Sequence, residues 1–192
     1  SLTWDEASWG YNAYSLGIDG RDEFGRFLPL DYLESFGDFK PALYAYLIIP
    51  FIPIFGLTEI SVRLPSALFG IIAVLLTYFL TKKLLKRTDL SLTAAFLLAI
   101  SPWHIQFSRV AFESSIAMAL NLAAILFFLK GLKKPLLLPI SAIFFSLSLY
   151  TYQSEKVFVP LMLLILIIVF FRQLRKIHKK NIIISFLVLI IV

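Results

Sequence analysis

Residues 64–87, LPSALFGIIAVLLTYFLTKKLLKR, decide the fold. The 17 residues from Leu64 to Leu80 carry no charge, and Lys82, Lys83, Lys86 and Arg87 follow almost at once. A helix needs about 17–25 such residues to cross the hydrocarbon of a bilayer. Lys and Arg clustered beside the run mark its cytoplasmic end. The pattern repeats outward from here. Leu90–Ser108 offers 19 uncharged residues and Pro135–Ser154 offers 20, while Ser114–Leu129 and Val157–Phe171 are slightly shorter. The 192-residue chain is 59% hydrophobic with a mean hydropathy of +0.86, more apolar than an ordinary soluble domain. The expectation is an all-α, polytopic membrane protein.

Two further basic clusters orient the spans. Lys130, Lys133 and Lys134 form one, and Arg172, Arg175, Lys176, Lys179 and Lys180 form the other. Together the three clusters hold 12 of the 18 Lys and Arg, and all three fall in loops that alternate with the others span by span. Leu64–Leu80 then runs inward, Leu90–Phe107 outward, Phe112–Leu129 inward, Pro135–Tyr152 outward and Val157–Phe171 inward, and Asn181 starts outward again. Of the 12 Asp and Glu, only Asp89 lies in a cytoplasmic loop. The acids, with Arg63, His104, Arg109 and Gln153, share the opposite face, so a chemical site belongs there. The net charge of +6 is thus spent on topology, and no nucleic-acid surface is expected.

The organisation expected is an external loop with juxtamembrane helices over residues 1–62, then a bundle of about five full spans and a truncated sixth over residues 63–192. Pro41–Leu57 is marginal for spanning and is interrupted by Pro50 and Pro53, which a helix interior tolerates poorly. It is placed as one or two helices in the external interface, with Tyr44 and Tyr46 at aromatic-belt depth; the alternative is a kinked span. Ahead of it, a short amphipathic helix over about residues 6–16 is expected at the membrane surface, anchored by Trp4, Trp9, Tyr11 and Tyr14. Gly17, Gly20 and Gly25 then mark a turn-rich loop. The sequence begins without Met and stops inside NIIISFLVLIIV, and it is read as one domain of a longer chain, open at both ends. No signal-peptide pattern opens it.

With no cysteine, disulfides, thiolate catalysis and Cys-ligated metals are excluded and the redox compartment is left open. No glycine-rich phosphate loop, Ser-His-Asp arrangement or His metal spacing occurs. The chemical candidates are charges at span ends. The adjacent Asp5 and Glu6 include a potential general base, because partial desolvation raises a carboxylate's proton affinity; a solvated helix start is the plainer reading. Lys40, Arg63 and Arg109 are cations suited to an anionic lipid headgroup. Arg63 reads equally as a snorkelling span terminus, and Arg109 with Glu113, four residues on, has the spacing of a helical ion pair. Asp38, His104, Tyr152, Gln153 and Glu155 are candidates for a sugar or acceptor pocket, although His104 and the tyrosines also suit an interfacial belt. A divalent metal on Asp5 and Glu113, with His104 as a further ligand, is chemically possible; none is expected as a requirement.

DEA at 5–7, KPALYAYL at 40–47, RLPSALFG at 63–70 and SPWHIQFSRVAFESS at 101–115 together resemble the GT-C glycosyltransferases, in particular the protein mannosyltransferase and aminoarabinose transferase group. The likeness runs through about residues 1–129. It implies a GT-C-like helix bundle that takes a sugar from a polyprenyl-phosphate donor, within the membrane lipid, and passes it to a protein, lipid or glycan acceptor on the external face, with inversion. It also implies a multi-pass protein of the plasma membrane. By resemblance Asp5 is the catalytic aspartate, Lys40-Pro41 the motif that holds the lipid phosphate, Arg63 the arginine at the head of the next span, and Glu113 the acid of the second external loop. Relatives with an acid directly before Lys-Pro differ from this chain, which has Phe39 there and Asp38 one residue earlier. A transporter or flippase for a lipid-linked sugar and a non-catalytic membrane subunit are the rival readings. The first prefers charges near mid-span, whereas these charges lie at span ends.

Overall fold

A computed structural model describes residues 2–191, with side chains through Leu189. It is an all-α bundle with one small hairpin. Helix α1 (Trp4–Asp19) starts on Thr3, which closes a capping box with Glu6, and stops at Gly20, whose φ of 72° is the left-handed conformation that glycine adopts without cost. Strands β1 (Leu33–Ser35) and β2 (Asp38–Lys40) pair antiparallel with Leu33 opposite Lys40. Helix α2 (Leu43–Ile48), a 3₁₀ turn (Ile49–Phe51) and α3 (Ile52–Phe55) follow, with Pro50 and Pro53 each in a first turn, where their missing N–H is harmless.

Helices α4 (Glu59–Leu85) and α7 (Glu113–Gly131) are long and apolar enough to cross a membrane, with mean hydropathies of 2.0 and 1.6 over their most apolar stretches. Between them α5 (Thr88–Ala99) and α6 (Pro102–Arg109) form a pair bent by 56°. The expected single span Leu90–Phe107 is therefore broken, because Pro102 cannot donate back to α5 and opens a new helix. Helix α8 (Leu138–Leu149) has 12 residues, shorter than the 20-residue apolar run that contains it, and α9 (Glu155–Val169) has 15. Proline accounts for part of this: Pro135 begins a 3₁₀ turn ahead of α8. Helices α10 (Phe171–Leu174) and α11 (Lys179–Ile191) complete the described chain.

The core lies in two clusters. Trp9, Ala13 and Leu16 of α1 meet Tyr44, Ala45 and Ile48 of α2, Val62 of α4 and Ile116 of α7. The second joins Phe128, Phe145, Val159 and Leu166 across α7, α8 and α9. Three expectations change here. The first helix runs Trp4–Asp19 and contains Gly17. Trp9 is 1% exposed and packs on Tyr44 at 5.3 Å, so it is core and no surface anchor. Tyr44, placed at belt depth by its type, is fully buried and donates to the Val62 carbonyl at 3.0 Å. Burial drives its phenol well above the ordinary range, so it stays a neutral donor.

Candidate functional site

The site is assembled where α1, the hairpin and the starts of α4 and α7 meet. Glu6 is 1% exposed and accepts four hydrogen bonds. Its Oε1 takes Arg63 Nε at 2.6 Å and the Ala111 backbone N–H at 3.1 Å. Its Oε2 takes Arg63 Nη2 at 2.8 Å and the Thr3 N–H at 2.9 Å. The Arg63 bonds foremost, with the two backbone donors, hold the Glu6 carboxyl down to about 2 against the opposing effect of burial. Arg63 also gives Nη1 to Glu59 at 3.0 Å, so all three of its nitrogens are engaged by carboxylates. Among the residues expected to bind phosphate, Arg63 thus stands as the cross-brace between α1 and α4.

Asp5 points elsewhere. Its side chain is 63% exposed and forms an ion pair with Lys40, whose own side chain is 11% exposed. The Lys40 ammonium lies 5.6 Å from the centre of the Trp9 ring, a placement that favours a cation. The hairpin explains the delivery: the register that sets Leu33 in the core opposite Lys40 also turns Lys40 inward against α1. Glu113 is the first residue of α7, half-buried, at a helix start where a carboxylate is favoured. Asp5 and Lys40, distant in sequence, are thus paired directly, with Asp38 two residues from Lys40 on β2 and Glu113 two residues after Ala111, whose N–H bonds Glu6.

The other candidates separate from this group. Arg109 ends α6 and Glu113 starts α7 across a break at 110–112, so the helical i,i+4 pair is not formed. Arg109 is exposed and makes no ion pair among the described residues; with Arg63 and His104 it lines a mostly apolar cavity of ≈ 720 Å³ between α4 and α6. His104 Nε2 stands 3.1 Å from the Gly70 carbonyl of α4, a helix-packing contact. Glu155 is 7% exposed and accepts from Asn121 and Ser148 inside the bundle. Gln153 is exposed and donates to the Phe39 carbonyl at 2.8 Å, and Tyr152 is half-buried beside it. Among the described residues no three His, Asp or Glu side chains gather as a metal-ligand set.

Sequence reading missed Thr3, the Ala111 N–H and Trp9 as partners of the acids and of Lys40. The first was visible as Thr3-x-x-Glu6, the spacing of a capping box. The other two depend on how distant segments pack and left no local signal.

The all-α membrane bundle is that of a GT-C-type membrane glycosyltransferase. A family model described as dolichyl-phosphate-mannose-protein mannosyltransferase matches residues 39–192, and the chain belongs to that family. The matched region includes Lys40, Arg63 and Glu113 and begins after Asp5 and Glu6. Searches of the curated proteins and of solved structures returned no match.

Proposed function

We propose that this chain builds the transfer site of an integral-membrane glycosyltransferase that uses a polyprenyl-phosphate sugar donor on the outer face of the plasma membrane, with a protein, lipid or glycan as acceptor. The observation that carries the reading is the Asp5–Lys40 ion pair next to Glu6, whose bond to the Ala111 N–H brings the start of α7, with Glu113, to the same end of the spans. It sets an exposed base, a cation and a second carboxylate where a lipid headgroup would lie. The distribution of basic loops supports the outward orientation.

In this reading Lys40 holds the donor phosphate as a point charge. Asp5 takes the proton from the acceptor's nucleophilic group as that group bonds to the anomeric carbon. The bond from that carbon to the phosphate oxygen breaks on the opposite side, and its electron pair leaves with the polyprenyl phosphate. One displacement inverts the anomeric centre. Lys40 neutralises the charge that develops on the leaving phosphate, where stabilisation lowers the barrier most. Glu113 orients acceptor or sugar hydroxyls. Glu6 and Arg63 act through position: they fix α1 to α4 and to the segment before α7, which sets Asp5 against Glu113.

The test is Asp5→Asn in the full natural chain, reconstituted with a polyprenyl-phosphate sugar. Transfer should fall by about 10²–10⁴-fold, the usual contribution of a general base, while donor binding persists. Transfer at the wild-type rate by that variant would remove Asp5 from the chemistry.

A further inference from the structure

Helices α7, α8 and α9 meet around a carboxylate that this chemistry does not use. Glu155 opens α9 and is 7% exposed. Its Oε2 accepts from Asn121 Nδ2 at 2.7 Å and from Ser148 Oγ at 2.9 Å. Thr151 Oγ1 donates to the Ser148 carbonyl at 2.6 Å, which tightens the start of the α8–α9 turn. Among the described residues no cation is paired with Glu155. An ionisable side chain buried among apolar helices is costly and marks a group with work to do.

What the carboxylate holds is the α8–α9 turn, residues 150–154. That turn touches the chain on both sides of Lys40-Pro41. The Tyr150 carbonyl accepts from the Leu43 N–H at 3.3 Å, and Gln153 Nε2 donates to the Phe39 carbonyl at 2.8 Å. Pro41 has no N–H, so β2 cannot extend its own anchoring through that residue, and these contacts from the turn flank the gap.

We propose that Glu155 is a positioning residue for Lys40: through Asn121 and Ser148 it fixes the 150–154 turn, which clamps Phe39 and Leu43 and so sets where the ammonium is presented. The inference rests on Lys40 as the donor's phosphate ligand.

The experiment is a double-mutant cycle in the full natural chain, read as the affinity for a short polyprenyl monophosphate. Glu155→Ala should weaken binding on the order of tenfold, within the range of coupled neighbours. Glu155→Gln should stay near wild type, because its amide oxygen can accept both bonds. In a Lys40→Ala background, Glu155→Ala should add nothing. Gln153→Ala, a surface change that leaves the buried node intact, should weaken binding in the same direction and show the same dependence on Lys40. It serves as the readout if Glu155→Ala fails to fold. Unchanged affinity in a folded Glu155→Ala protein, or an equal loss with and without Lys40, overturns the inference alone. Unchanged affinity in Lys40→Ala overturns the phosphate role of Lys40 and the inference with it.

Discussion

Glu6→Gln removes one charge from the cross-brace and leaves its shape. The carboxyl's fall from the ordinary 4.5 to about 2 measures how strongly its ionised form is preferred in the folded protein. At roughly 1.4 kcal/mol per pKa unit that preference is worth about 3 kcal/mol. The Glu6 side chain is 1% exposed and that of Arg63 29% exposed, so solvent screens the pair little. The variant should therefore lose about 3 kcal/mol of stability at neutral pH, since the amide can still accept but no longer balances the guanidinium. Arg63→Gln should cost more, because it strands a buried carboxylate with only two backbone donors.

The pH dependence has a fixed sign. A depressed folded-state value stabilises above the unfolded value and is lost as pH falls. The gap between wild type and Glu6→Gln should be constant above about pH 5 and close between roughly pH 4.5 and 2. Denaturant titration of the purified protein in detergent, repeated across that range, reads it directly. A gap that widens on acidification, or Glu6→Gln and Arg63→Gln costs that simply add in the double variant, would show that the pair does not join α1 to α4 as described.

Other outcomes follow from single contacts. Gly70→Val should loosen the α4–α6 packing by about 1–3 kcal/mol, because a Cβ at Gly70 would stand 2.7 Å from that of Ser108; a thermal melt checks it. Tyr44→Phe should lose about 1 kcal/mol with the Val62 bond and leave transfer unchanged, by melt and by sugar-transfer assay. Lys40→Ala should raise the donor KM by at least tenfold, with Lys40→Arg intermediate because a guanidinium keeps the charge and changes its shape. A cysteine at position 87 should react with a membrane-impermeant thiol reagent only after permeabilisation, and one at position 38 without it.

The two long membrane helices, Glu59–Leu85 and Glu113–Gly131, were legible because uncharged length and terminal lysines are properties of contiguous sequence, as Leu64–Arg87 shows. The break at Pro102 was equally written in one residue, yet hydropathy alone ran through it: a bend changes no residue's polarity. Tyr44 and Trp9 were misplaced for a physical reason of another kind. An aromatic ring suits an interface and a core alike, and the choice is made by α2 packing across α1, a contact between residues 35 apart in sequence. The candidate site was legible as residue types sharing one end of the spans. The division of labour among them was not, because it is set by distances between segments.

That division follows from helix geometry at Asp5 and Glu6. Neighbours on an α-helix point about 100° apart, so two adjacent carboxylates in one first turn cannot face the same surroundings. With Trp9, Ala13 and Leu16 turned to the core, Glu6 lies on the buried side and must be fully paired to be tolerated there, which the Arg63, Thr3 and Ala111 donors accomplish. Asp5, one residue earlier, is carried to the rim and pairs with the Lys40 ammonium. The Asp5 side of that pair is 63% exposed and open to solvent, so a phosphate arriving at Lys40 can replace the carboxylate and release Asp5 to accept a proton. The buried pair fixes the helix and the open one can be exchanged. Exchanging the two residues, as Asp5→Glu with Glu6→Asp, should therefore abolish transfer even though the composition and charge of the turn are unchanged. The shorter side chain would leave Arg63 unreached from the buried side. A wild-type transfer rate in that double variant would refute the argument.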